Sequence, residues 1–183
     1  MRVITGSAKG RKLFSFPKES PGLRPTSSHI KESVFNIIQF DIEGRHILDL
    51  FAGTGQLGIE ALSRGAVSAD FVDTDTSVIK KNLEATGFTD RANIKKMDVF
   101  AFLRGHGGES PYRASARYDL IFLDPPYDSP LLNKALEVIS AIDILRTGGI
   151  MVCESSFEPT DITGCKKSVY KYSGKAISLY TRS

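Results

Sequence analysis

Four apolar residues at positions 120–123 are followed directly by Asp124, Pro125, Pro126 and Tyr127. A run this apolar is typical of a strand buried on both faces, as in a parallel sheet. The prolines end the strand, because neither offers an N–H to the ladder and both fix φ. The sequence therefore predicts a buried strand whose carboxyl end presents a carboxylate, free carbonyl groups and an aromatic ring.

Alternating strand and helix patterns surround this segment. The predicted strands are 46–51, 69–72, 92–97, 118–123 and 150–154, with helices at 56–64, 76–86, from about 99, and 131–141, and a closing hairpin at 165–172 and 176–181. Such alternation favours a mostly parallel sheet with helices on both faces. Ligands of these sheets bind outside the carboxyl ends of the strands.

Residues 1–40 are interpreted as an extension of a single domain, whose core is 41–183. Segments 3–5 and 11–16 predict a small β-hairpin, and a helix is expected from near Ser28. The extension is too short for a core of its own.

Composition is ordinary for a soluble globular protein, with 41% hydrophobic and 25% charged residues. No apolar run is long enough for a membrane span, and the first residues lack the apolar region of a secretory signal, so a cytoplasmic protein is expected. Cys153 and Cys165 are too few and too far apart for a zinc site or a redox pair, and no metal is expected. Nothing indicates an extended apolar interface, so a monomer is expected.

Basic residues dominate the start of the chain. Through residue 36 only Glu19 and Glu32 oppose seven of them: Arg2, Lys9, Arg11, Lys12, Lys18, Arg24 and Lys31. Such a segment indicates a phosphate-rich partner. A solvated surface explains the charge equally well.

A glycine motif follows the first predicted core strand. Gly53, Gly55 and Gly58 form a GxGxxG string between a strand and a helix, a context typical of nucleotide cofactors. A dinucleotide would place its pyrophosphate at the helix start, whereas S-adenosylmethionine brings a sulfonium cation. A carboxylate at Asp49 would repel the first and attract the second, which favours S-adenosylmethionine. The expected contacts of this cofactor are Asp49, Phe51, Ala52, Gly53, Thr54 and Gly55.

Two further acids follow the next strands. Asp73, with Thr74 beside it, is placed to accept hydrogen bonds from ribose hydroxyls. Asp98 could accept from the adenine amine while Met97 or Val99 packs on the ring, although capping of the next helix explains Asp98 equally well.

The turn at 124–127 suits chemistry on an exocyclic amine, a poor nucleophile whose lone pair is delocalised into a ring. The Asp124 carboxylate and the Pro125 carbonyl could each accept one of the amine hydrogens. Pro126 completes the turn, and Tyr127 could stack on an extruded base. Holding the amine in line with the reacting group would supply most of the rate enhancement. A dinucleotide-linked oxidoreductase and an inactive RNA-binding assembly factor remain alternatives.

Longer segments resemble one bacterial family, the RsmD small-subunit ribosomal RNA guanine-N2 methyltransferases. The similar segments are 1–6, 10–13, 23–26, 31–36, 50–65 and 174–180, which span nearly the whole chain. Departures are Ala8, where the family often has Trp, and Ser28-His29, where it often has Asp-Arg.

This resemblance implies a Rossmann-like class I methyltransferase, with a mostly parallel seven-stranded sheet whose last strand is antiparallel and a small N-terminal hairpin. It implies S-adenosylmethionine as cofactor and a guanine N2 amine of 16S ribosomal RNA, in a partly assembled small subunit, as target. Adenine N6 or a glutamine amide remains the alternative target for the same turn. The residues expected to contact or lie near RNA are Arg2, Lys9, Arg11, Lys12, Arg24 and Thr26.

Overall fold

The structure is a computed structural model that describes residues 1–16, 28–106, 118–126, 130–172 and 175–183. Three predicted site residues, Arg24, Thr26 and Tyr127, lie outside the described residues.

The strand and helix periodicities of the sequence become seven strands and five helices within the described part of the chain. In chain order they are α1 (Ser28–Ile37), β1 (His46–Leu50), α2 (Gln56–Ser63), β2 (Ser68–Asp73), α3 (Ser77–Thr86), β3 (Ala92–Lys96), α4 (Val99–Gly105), β4 (Tyr118–Leu123), α5 (Leu131–Ala141), β5 (Leu145–Ser155), β6 (Cys165–Tyr172) and β7 (Lys175–Arg182). A short 3-10 turn, Thr89–Arg91, precedes β3.

The strands form one sheet in the order β3-β2-β1-β4-β5-β7-β6. The first five strands run parallel, and β7 is antiparallel to both β5 and β6. The predicted fold class, a mostly parallel seven-stranded sheet with its last strand antiparallel, is confirmed. This order brings the carboxyl ends of β2, β1, β4 and β5 side by side at one edge of the sheet.

Two of the strand boundaries that differ from the prediction follow from backbone geometry. Strand β1 ends at Leu50, because Phe51 has a φ of 59°, which turns the chain out of the sheet. Strand β5 begins at Leu145, five residues earlier than the predicted 150, with a register shift opposite β4. This register shift accommodates the glycines at 148 and 149 inside the strand.

Apolar clusters cover both faces of the sheet. Strand β4 is buried along its whole length, as the apolar run predicted. On one face Phe122 packs against Phe35 of α1, with ring centroids 5.7 Å apart. On the other face Ile121 packs in a cluster with Leu136 of α5. Each such side chain contributes about 1.5–3 kcal/mol through burial.

The N-terminal segment shares the α1 side of this core. Val3 and Leu13 are buried in the same cluster as the sheet residues. The predicted hairpin is reduced to a single antiparallel bridge between Arg2 and Lys12. Backbone hydrogen bonds continue the pairing on either side of that bridge, and one joins the Val3 N–H to the Arg11 carbonyl at 3.0 Å.

Across the described ranges, no helix combines the length and apolarity needed to cross a membrane.

Candidate active site

Four acidic residues from four neighbouring strands gather at the carboxyl edge of the sheet. Asp73 ends β2, Asp49 lies near the end of β1, Asp124 follows β4, and Glu154 lies near the end of β5. Parallel strands end at the same edge, and the register pairs Leu123 with Cys153, so Asp124 and Glu154 occupy adjacent positions. The glycine motif with Asp49, the acid Asp73 and the turn that begins at Asp124 therefore meet at one edge, and Glu154 lies beside them.

Asp49 on β1 is almost completely buried, and its carboxylate lies against the start of α2. Its Oδ2 accepts a hydrogen bond from the Gly58 N–H at 2.9 Å. Burial, with the charges of Asp124 and Asp73 nearby, raises the pKa of Asp49 well above its usual range, although the Gly58 hydrogen bond opposes this. A Cβ at position 58 would lie 2.4 Å from the Phe71 ring, so only glycine permits this close approach of helix and strand.

Asp73 organises the glycine loop. Its Oδ2 accepts from the Gly53 N–H at 2.8 Å, and its Oδ1 accepts from the Asp75 N–H at 3.0 Å. Gly53 has a φ of +54°, and a Cβ there would meet nothing closer than 3.9 Å. The loop thus turns back over the strand ends while its outer side stays open, and Thr74 beside Asp73 is exposed.

The residues that follow β3 differ in exposure and in role. Asp98 caps α4, because its Oδ1 accepts from the Ala101 N–H at 2.9 Å. Val99 is buried in the core beneath α4, whereas Met97 is exposed. Met97, rather than Val99, therefore has a side chain able to lie on an adenine ring. Phe51 packs edge-on against Phe100, with centroids 6.4 Å apart.

The described residues of the strand-tip turn differ in burial. Asp124 is half-buried, Pro125 is buried and Pro126 is exposed. Asp124 lies close enough to raise the pKa values of both Asp49 and Glu154 through its charge. The predicted amine acceptor therefore lies between the cofactor strand β1 and strand β5.

Glu154 is a site residue that the sequence analysis missed. It is buried, and its Oε1 lies 2.5 Å from Nζ of Lys175 on β7. Burial and the Asp124 charge raise the pKa of Glu154 to about 8. The Lys175 ammonium favours the charged form, but the net direction is upward because the carboxyl group is withdrawn from water. The only signal available in the sequence was an acid ending an apolar strand.

The N-terminal extension is fastened to α2 through the carboxylate of Glu60, which is fully buried. Its two oxygens accept from the Ile4 N–H at 2.8 Å and the Thr5 N–H at 3.0 Å. The same carboxylate forms ion pairs with Lys31 at 2.9 Å and Arg64 at 3.0 Å. The helix that begins at the glycine loop therefore also holds the extension.

Asn82 of α3 makes a second connection between the extension and the glycine loop. Its side chain accepts from the Phe14 N–H at 2.7 Å and donates to the Phe14 carbonyl at 3.1 Å. It also donates to the Thr54 carbonyl at 2.8 Å. Because Asn82 is fully buried, one amide group fixes the end of the extension relative to the cofactor loop.

The basic residues of the N-terminal segment differ in exposure. Arg2, Lys9, Arg11 and Lys12 are exposed on the extension. Lys31 is 2% exposed and paired with Glu60, so counting it with the surface charge was wrong. Burial lowers the pKa of Lys31 despite that pairing.

The loop chemistry fits S-adenosylmethionine better than a dinucleotide. A pyrophosphate binds free N–H groups at a helix start, but the Gly58 N–H of α2 is already taken by the Asp49 carboxylate. Asp73 and Asp124 add further negative character nearby, which favours a sulfonium cation and disfavours a phosphate.

Comparisons with known proteins agree with this geometry. The structure resembles the solved structure titled "Putative methyltransferase yhhF from Escherichia coli", at 32% identity and a TM-score of 0.83, covering 100% of this chain and 97% of that one. The fold is that of Rossmann-like methyltransferases. A more distant neighbour is an RNA methyltransferase from Salinibacter ruber in complex with S-adenosyl-L-homocysteine. It has a TM-score of 0.63 at 17% identity, and the match covers 87% of this chain and 94% of that chain.

The family model described as "Conserved hypothetical protein 95" matches residues 1–180. "Putative rRNA methyltransferase YlbH" of Bacillus subtilis is 38% identical over 97% of each chain. "Ribosomal RNA small subunit methyltransferase D" of Escherichia coli is 34% identical over 86% of this chain and 76% of its own. The chain belongs to this family, the RsmD family of methyltransferases, and the predicted resemblance is confirmed.

Proposed function

We propose that this protein transfers a methyl group from S-adenosylmethionine to the N2 amine of a guanine in small-subunit ribosomal RNA. The observation that carries the proposal is the adjacency of Asp124 and Pro125, at the tip of β4, to the glycine loop after β1. The relatives named as ribosomal RNA methyltransferases support the class of substrate.

The cofactor residues have separate roles. S-adenosylmethionine would supply a methyl group made electrophilic by its sulfonium sulfur. Asp73 holds Gly53 in place and offers carboxylate oxygens near the ribose, and Asp49 keeps the start of α2 closed to phosphate. Thr74 and the exposed Met97 would line the nucleoside, with the backbone of 51–55 beneath it.

The amine residues act by positioning. The Asp124 carboxylate and the Pro125 carbonyl would each accept one amine hydrogen, which directs the nitrogen lone pair towards the methyl group. Methyl transfer would form the N–C bond and break the C–S bond, with the electron pair of the C–S bond passing to sulfur. The amine proton leaves after attack, so no strong base is needed. Tyr127 is proposed to stack on the extruded base.

The extension would bind RNA through the exposed Arg2, Lys9, Arg11 and Lys12. Neutralising phosphates in this way releases counterions, so affinity should fall with salt. Arg24 and Thr26 are proposed to lie near the mouth of the site. A partly assembled small subunit is proposed as the substrate.

Methyl transfer tests the proposal directly. Small subunits from cells that lack the enzyme are incubated with the protein and methyl-labelled S-adenosylmethionine, and the RNA is digested to nucleosides. Label in N2-methylguanosine is expected. Unlabelled RNA would refute the proposal, whereas label in N6-methyladenosine or in a protein glutamine would move it to the alternative target.

The variant Asp124→Ala should abolish transfer while cofactor and RNA affinities change little. Asp90→Ala is the matched control, because Asp90 is exposed in the turn before β3, at the opposite edge of the sheet. Full activity of Asp124→Ala would show that the strand-tip carboxylate does not hold the amine.

A further inference from the structure

Glu154 and Lys175 form a hydrogen-bonded pair beside the strand-tip turn that the methyl-transfer chemistry does not use. Glu154 is buried, and its Oε1 lies 2.5 Å from Lys175 Nζ. Burying an ion pair costs desolvation that such a pair rarely recovers in stability. The position of this pair at the edge of the candidate active site suggests a role in recognition.

The sheet places this pair on the same side as Asp124. Strands β4 and β5 are paired up to Leu123 and Cys153, so Asp124 and Glu154 come next on neighbouring strands about 4.8 Å apart. Side chains alternate between faces, and Val152 shares the α1-side cluster with Phe122. Glu154 and Asp124, each two residues further on, therefore face that side together.

Lys175 approaches from the antiparallel strand β7. Ile177 is paired with Glu154, and Lys175, two residues from Ile177, is on the same face beyond the end of the pairing with β5. The edge thus presents two acceptors followed by a donor, in the order Asp124, Glu154, Lys175.

We propose that Glu154 and Lys175 select guanine by reading its Watson–Crick edge, with Glu154 accepting from N1–H and Lys175 donating to O6 while Asp124 holds the N2 amine. This proposal rests on the proposed function and names the specificity residues of that site. Guanine presents donor, donor and acceptor along this edge, which matches the order on the protein. Adenine has a lone pair at N1, which faces the ionised form of Glu154 unfavourably and leaves that carboxylate without a donor. Sites that leave a buried polar group unpaired reject the wrong substrate strongly.

A base analogue tests the contact separately from any structural role. 2-Aminopurine keeps the amine at carbon 2 but has a lone pair at N1 and no O6. Small subunits carrying guanine or 2-aminopurine at the methylated position are compared, in a buffer alkaline enough to ionise Glu154. We expect the wild-type protein to prefer guanine by about 100-fold in kcat/KM.

The variant Glu154→Leu should lower kcat/KM for guanine while leaving that for 2-aminopurine nearly unchanged, so the preference falls to about tenfold or less. Lys175 is 27% exposed at its side chain, so its ammonium can reach water once Glu154 is removed. Glu154→Gln is the second variant: its amide retains an acceptor and adds a donor for the N1 of 2-aminopurine, so it should also reduce the preference. Glu43→Leu, an exposed position before β1, is the matched control and should keep the wild-type ratio.

The outcomes separate the two proposals. If the wild-type protein leaves guanine unmethylated, the proposed function fails. If it methylates guanine, but both Glu154 variants lower the rates for both bases equally, the pair is structural and the inference is overturned. Unchanged affinity of the variants for S-adenosylhomocysteine verifies that the fold is intact.

Discussion

Replacing Glu60 with alanine should detach the N-terminal extension from the core. The substitution removes the acceptor of the Ile4 and Thr5 amides and leaves the Lys31 ammonium without its counter-charge. Breaking a buried pair in this way costs about 3–5 kcal/mol, and each orphaned amide adds about 1–3 kcal/mol.

The full sum cannot be reached, because the extension can lift off and hydrate these groups. Detachment exposes mainly Val3 and Leu13, each worth about 1.5–3 kcal/mol. The loss in the free energy of unfolding is therefore limited to about 3–6 kcal/mol. The double variant Glu60→Gln, Lys31→Met restores an acceptor and removes the buried ammonium, although Arg64 still loses its carboxylate partner, and should recover about half of the loss.

Urea unfolding followed by circular dichroism measures this loss, and hydrogen exchange locates it. Protection of the Ile4 and Thr5 amides should fall in Glu60→Ala, while the amides of β4 lose much less. Glu84→Ala, at an exposed position of α3, is the control. A loss below about 1 kcal/mol with unchanged exchange at residues 4 and 5 would refute the reasoning.

Two further predictions concern charge. Replacing Arg11 and Lys12 together with alanine should weaken RNA binding and reduce its salt dependence by about two counterions, without changing affinity for S-adenosylhomocysteine; equal loss of both affinities would mean that the two residues are structural. The second prediction follows from the raised pKa of Glu154, about 8 against 4.5 in the unfolded chain. The folded protein holds this proton more tightly, so the stability that it contributes is complete below pH 4.5 and is lost as the pH rises through about 8, by up to about 1.4 kcal/mol per pH unit. A pH-independent difference in unfolding free energy between the wild-type protein and Glu154→Gln would contradict the assignment.

The sequence predicted the sheet because its signals were local. The apolar run at 120–123 and the glycines after β1 each identify a strand end without reference to distant residues. Asp49, Asp73 and Asp124 could be brought together from topology alone, since parallel strands end at one edge. The predicted cofactor and amine contacts of these residues remain predictions.

What the sequence did not reveal depended on distant partners. Lys31 was counted as surface charge because its counter-charge, Glu60, lies on another helix. Glu154 ends an apolar strand with no motif around it, and its partner Lys175 comes from the closing hairpin. Periodicity identifies which face of an element is apolar, but not which polar side chain meets which.

Polar contacts explain how a short extension can be positioned accurately against the cofactor loop. Apolar burial of Val3 and Leu13 favours attachment without fixing direction, because the hydrophobic effect is not directional. The hydrogen bonds of Glu60 and Asn82 have defined partners and distances, and Asn82 reaches both Phe14 and Thr54. A shift of the extension by one residue would leave these buried groups unpaired, which costs more than the apolar contacts could recover. The register between the proposed RNA-binding surface and the glycine loop therefore depends on buried polar side chains such as Glu60 and Asn82.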